Sequence, residues 1–312
     1  MKAQKNAKDT PVTIGIEVEA EYPRTSWGER DYDRCQGHPA GWERGVDGQM
    51  EFRFKGGSHT MEEVFLRCDS LEEYMKKYGI DSFEGQGTHI HVGIRDWLKA
   101  RYPAAFKSHE CWLSSKATAL TWAYLAQRQN PIWALIPEVR TNNTWCSPYR
   151  PSYRATTPLA QIHNRFVNDS WTATDYCGAL ETRRHGYTTF ECRMFQGTNV
   201  LGAVKGWATL LVALIKGAER KLDELDWSKV VALPDNTPPE KVPTRDLFVH
   251  PSTYDMAALR KEIKETDFLS EPLLDWMERT VRSKTQLVPF NGDLSEIYGE
   301  AYNTSTPLAA AA

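Results

Sequence analysis

Four segments of this chain alternate apolar and polar residues with a period of two, and their polar positions are rich in carboxylates and imidazoles. In VTIGIEVEAEY the even positions Val12, Ile14, Ile16, Val18, Ala20 and Tyr22 are apolar, while Glu17, Glu19 and Glu21 occupy odd positions. In QMEFRF, Met50, Phe52 and Phe54 alternate with Gln49, Glu51 and Arg53. In THIHVGI, Ile90, Val92 and Ile94 alternate with His89, His91 and Gly93. In TFECRMF, Phe190, Cys192 and Met194 alternate with Glu191 and Arg193. Successive side chains of a strand point to opposite faces, so this pattern requires strands buried on one face only. The fold class that follows is α+β: a largely antiparallel, curved sheet, helices packed on its apolar face, and an open polar face.

Helical signals lie between and after these strands. MEEVFLRCDSLEEYMKKYG follows Ser58-His59-Thr60, has acids early and lysines late, and stops at Gly79. SSKATALTWAYLAQRQ reads as a helix closed by Asn130-Pro131. Apolar residues recur at helical spacing from Trp207 through Leu210, Leu211, Leu214, Ala218 and Leu222, which predicts a core helix over 206–226. Residues 232–244 hold four prolines and interrupt the pattern. Short helices follow at 253–265 and 271–282, the second capped by Ser270 with Pro272 in its first turn. The chain therefore divides into a frayed tail (1–11), a core (12–226), a proline-rich linker or strap (227–252) and a C-terminal helical extension (253–312).

Charge and composition exclude several functions. The 312 residues carry 38 Lys and Arg against 41 Asp and Glu, a formal net charge of −3. That balance excludes a broad basic footprint for duplex nucleic acid. The longest apolar stretch, 208–215, is far short of the roughly 20 residues of a membrane span, so no membrane partner is expected. MKAQKNAKDT has positive charge but no apolar core of a secretion signal. The six cysteines form no C-x-x-C pair and read as reduced core residues. Together these features place the protein in the cytoplasm.

The polar face carries the chemistry. Same-face neighbours along a strand stand about 6.8 Å apart, so Glu17 and Glu19 project side by side and require a counter-charge. Glu51, Glu191 and His89 join them if the strands are neighbours. Only Arg53 and Arg193 offer fixed positive charge at these positions. Clustered carboxylates with an imidazole suit magnesium, or manganese, better than zinc.

The same segments resemble a known family. GIEVEAEY, D-G-Q-M-E at 47–51, GTHIHVG at 87–93 and FECRMFQGTN at 190–199 stand in the order of the amidoligase family motifs. That family belongs to the glutamine synthetase and glutamate–cysteine ligase superfamily. PEVRTNNTWCSP at 137–148 resembles its segment between the histidines and the last strand. The resemblance covers about residues 12–220; Gln49 replaces the family's serine, and FRFKGGS replaces its proline-bearing stretch.

The resemblance implies an ATP-dependent carboxylate–amine ligase acting through an acyl phosphate, with ATP and magnesium as cofactors. It implies small-molecule or peptide carboxylates and amines as substrates. Glu17, Glu19, Glu51, His89 and Glu191 would hold two or three magnesium ions. Arg193 would stabilise the transferring phosphoryl group, with Glu51 beside it in the catalytic set. Arg140 and His89 would contact the phosphates, and Asp47 and His91 the substrate. Two further readings stay open at this point: a zinc- or iron-dependent hydrolase built on His89-x-His91, and an inactive relative serving as a binding or assembly module.

Overall fold

The computed structural model describes residues 12–31, 34–45, 50–82, 86–106, 115–137, 180–181, 189–234, 237, 241–243, 253–283 and 286–292. Among them six strands form one sheet: β1 (Thr13–Ala20), β2 (Trp42–Gly45), β3 (Met50–Phe54), β4 (Gly87–Gly93), β5 (Leu180–Glu181) and β6 (Phe190–Gln196). The order is β2-β3-β1-β4-β6-β5, and every pairing is antiparallel. The four expected strands are the four central ones. Along β1, Ile14, Ile16, Val18 and Ala20 are buried while Thr13, Gly15, Glu17 and Glu19 are half-buried, the expected phase.

The apolar face is covered by α1 (Met61–Tyr78) and α5 (Leu201–Asp223). Phe52 of β3 meets Tyr74 of α1 edge-on, with ring centroids 5.7 Å apart. Phe195 of β6 stacks on Trp207 of α5 at 4.5 Å. Helix α1 begins where expected: the Thr60 hydroxyl accepts the Glu63 N–H at 3.2 Å, satisfying one orphan donor of the first turn. It ends at Gly79, whose φ of +64° is costly for any residue with a Cβ.

Helix α5 starts at Leu201, five residues before the expected 206, and ends at Asp223. Gly206 lies inside it because the ring of Trp276 rests directly on its Cα; a Cβ there would come within 2.3 Å of Cε2. The helix ends early because the Trp227 indole N–H caps the Leu222 carbonyl at 3.1 Å. By length and composition alone α5 could cross a membrane, which the sequence reading did not find. It is instead 83% buried over its most apolar window, packed against α1, β4 and three further helices. Those are α3 (Lys116–Gln127), α7 (Met256–Thr266) and α8 (Ser270–Ser283).

Asn130-Pro131 does not simply end the helix before it. The chain pauses at Arg128 and resumes as α4 (Gln129–Trp133), with Pro131 in the first turn, where no N–H is needed. A seven-residue α2 (Arg95–Arg101) follows β4. Within 227–252 the described residues include α6 (Trp227–Ala232), whose last turn is bound by the Lys116 ammonium through the Val231 carbonyl at 2.9 Å. Ser270 is the first residue of α8 and not its cap. Helices α7 and α8 also pack against α5. The buried Arg128 side chain donates to Glu262 of α7 at 2.8 and 2.9 Å. Cys35, Cys68 and Cys192 are buried, matching their expected role as small core residues.

Candidate metal centre

Antiparallel register puts the polar side chains of four strands side by side. Glu17 of β1 is opposite Arg53 of β3 and His89 of β4. Glu19 is opposite Glu51, and His91 is opposite Glu191 of β6. Cross-strand partners share a face at about 4.5–5.5 Å between Cβ atoms, so residues up to 174 positions apart in sequence meet here. Gly15 is the partner of His91 on β1, and a Cβ there would make an ordinary contact of 3.4 Å with that of His91.

One irregularity shapes the centre. The β4–β6 register shifts between Thr88 and Ile90: Ile90 pairs with Cys192 but Thr88 with Phe195. Arg193 and Met194 therefore both lie opposite His89, the signature of a β-bulge, which redirects side chains locally. The bulge also carries Phe195 to the apolar face, where strict alternation would have put it among the carboxylates. Arg193 remains on the polar side and donates from Nη1 to Glu191 Oε1 at 2.6 Å.

The cluster is tight. Glu17 Oε1 is 3.3 Å from His91 Nε2, and its Oε2 is 3.3 Å from His89 Nδ1. His89 Nδ1 is also 3.4 Å from Glu191 Oε1, and its Nε2 is 3.8 Å from Glu19 Oε1. Glu19 Oε2 accepts the Gly87 N–H at 2.6 Å. The Arg53 guanidinium grips Glu51 through two bonds of 2.7 and 2.8 Å. The expected open face is recessed at its centre: Glu191 is 1% and His89 5% exposed.

Burial pushes the Glu17 carboxyl up, but hydrogen bonds and charge from His89 and His91 outweigh it. The net effect holds that group well below the usual carboxylate range. Burial also raises the Glu51 carboxyl; Arg53 opposes the rise and Glu17 adds to it, and the group ends above its ordinary value. Glu17 is therefore an anion poised to accept a cation.

Ligand atoms of Glu17, His91 and Glu191 all lie within 4.8 Å of one another. Around a small divalent ion with bonds of about 2.1 Å, ligand atoms stand about 3–4 Å apart, so the three side chains fit such an ion with little movement. Of the residues expected to bind metal, Glu17 and Glu191 belong to this group, and Glu19 and His89 border it. Glu51 is drawn toward Arg53 and the edge strand β2. His91, expected to meet substrate, sits among the carboxylates. Asp47 and Arg140 lie outside the described residues. The sequence reading left Arg53 and Gly45 out of the site. Gly45 pairs with Glu51, and a Cβ there would come within 2.8 Å of Glu51 Oε2. The signal for Arg53 was its place in the same polar phase as Glu51.

No protein-family model and no curated protein sequence matches the chain. Among solved structures it is similar to a bifunctional glutathione synthetase from Pasteurella multocida, at 11% identity and a TM-score of 0.42. That alignment covers 94% of this chain and 48% of the synthetase, so the chain spans about half the length of that protein. At that identity and TM-score the likeness bears on neither activity nor substrate.

Proposed function

We propose that this chain is an ATP-dependent carboxylate–amine ligase that joins its substrates through an acyl phosphate. The observation that carries this reading is the juxtaposition, on one recessed sheet face, of a divalent-cation set (Glu17, His91, Glu191) with a fixed guanidinium. Arg193 Nη1 stands 2.6 Å from Glu191. Phosphoryl transfer depends on such positioning and charge neutralisation more than on covalent help from the protein. The strand motifs resembling amidoligases supply the reaction class.

In this reading Glu17, His91 and Glu191 hold magnesium, which neutralises phosphate charge when bound. Arg193 presents its fork to the γ-phosphoryl group as it passes to the substrate carboxylate oxygen and ADP departs. The bulge opposite His89 fixes its direction. Glu19, tied to the Gly87 N–H, and His89 keep the cluster in place. The amine nitrogen then attacks the acyl carbon, the C–O bond to phosphate breaks, and the amine proton passes to water. Arg140 and Asp47 are proposed to bind phosphate and substrate.

The test is thermal unfolding with and without magnesium–ATP, followed by release of ADP and phosphate across a panel of amino acids, amines and peptides. Nucleotide at 100 times its dissociation constant adds about 2.7 kcal/mol of stability. Glu17→Gln is expected to abolish both turnover and the metal-dependent gain. Stabilisation by zinc alone, with no response to magnesium–ATP, would replace the ligase with a hydrolase using His89 and His91.

A further inference from the structure

We propose that Arg53 is a built-in cation occupying the second cation position of the polar face, so that without nucleotide this face takes one divalent ion and not two. The proposal rests on the reading of Glu17, His91 and Glu191 as a metal site. The carboxylates divide into two groups. On the β6 side, Glu17, His91 and Glu191 converge. On the β3 side, Glu17 and Glu51 are the carboxylates a second ion would bridge, and there the Arg53 guanidinium already lies. Its Nε is 2.7 Å from Glu51 Oε1 and 3.7 Å from Glu17 Oε1, and its Nη2 is 2.8 Å from Glu51 Oε2.

Three further observations agree. Glu51 leans over Gly45, where even a methyl group would collide with its carboxylate, which carries it toward β2 and away from its partner Glu19 on β1. Glu19 is held by the Gly87 N–H. Among the described residues the charge points the same way: Glu17, Glu19, Glu51 and Glu191 are at most 30% exposed, and Arg53 and Arg193 offset two of their four negative charges, leaving a remainder that one divalent ion matches. Glu43, opposite Arg53 on β2, is solvent-exposed and outside this balance. A fork gripping a carboxylate at both oxygens is a strong, directional arrangement, so Arg53 would not readily yield its place to an ion.

The experiment is manganese binding to the full, nucleotide-free chain, counted by titration calorimetry and by the loss of free-ion paramagnetic resonance signal. The wild type is expected to bind one ion per chain, Arg53→Met two, and Arg53→Lys, which keeps a cation, one. Two ions bound to the wild type, or one bound to Arg53→Met, would overturn the proposal while leaving the metal site standing. No ion bound to the wild type would remove the metal site itself and the proposal with it. If Arg53→Met does not fold, Arg53→Gln, which also removes the charge, is expected to bind two ions, and one bound to it would overturn the proposal.

Discussion

Removing Arg193 tests the centre where stability and function meet. The Glu191 side chain is 1% exposed, and Arg193 Nη1 binds it at 2.6 Å from a side chain itself 14% exposed. Arg193→Ala leaves that carboxylate buried without its guanidinium, and breaking a buried pair in this way costs about 3–5 kcal/mol. His89 Nδ1 stays 3.4 Å from the same oxygen, which places the expected loss near the low end, about 3 kcal/mol. At about 2.1 cal/mol/K of unfolding entropy per residue, each kcal/mol moves the melting temperature of this chain by about 1.5 °C, so the variant should melt roughly 4–5 °C lower in chelator. Saturating magnesium or manganese should return part of that loss, because a bound cation supplies charge that Glu191 has lost. The assay is a double-mutant cycle of Arg193→Ala, Glu191→Gln and the pair, by denaturant or thermal unfolding. The double variant should be more stable than Arg193→Ala alone. A cost below about 1 kcal/mol, or a double variant no better than the single, would refute the reasoning that Arg193 compensates a buried anion.

Gly206→Ala would drive a Cβ to 2.3 Å from the buried Trp276 ring; overpacking of that kind costs about 1–3 kcal/mol, more than the helix-propensity gain of about 1 kcal/mol, so chemical denaturation should show a net loss. Cys68 is buried and its thiol pushed up to about 12; thiol reagents at pH 8 should reach it only in denaturant. The Asp223 carboxyl is raised by burial, but hydrogen bonds and charge from Arg101, with Tyr102, hold it below its ordinary value. A depressed carboxylate contributes stability above its unfolded pKa and loses it as pH falls. Asp223→Asn should therefore shed less stability than the wild type between about pH 5 and 3, by less than about 1 kcal/mol for so exposed a pair.

Local rules accounted for much of the fold. Helix α1 begins at the Thr60 cap and ends at Gly79 because both signals act within a few residues of themselves. The strand phases of β1, β3 and β4 were readable for the same reason: alternation needs no partner to be recognised. The boundaries that moved were those set by distant contacts. Gly206 looks like a helix start from its own chemistry, but it is needed mid-helix by Trp276, 70 positions later. Pro131 reads as a breaker, yet a pause at Arg128 lets it open a new turn.

The centre divides along the same line. Periodicity alone put Glu17 with Glu19, His89 with His91 and Glu191 with Arg193 on one side of their own strands, because residues two apart in a regular strand share a face. Which of them gather was decided by strand order, by the shift between Thr88 and Ile90 that puts Arg193 opposite His89, and by the side chains' competition for one another. Arg53 captured Glu51, and His91 turned to Glu17. Such choices depend on distances between strands that no single segment encodes. They were settled only when burial brought the described charges of this face within a few ångströms of opposite ones.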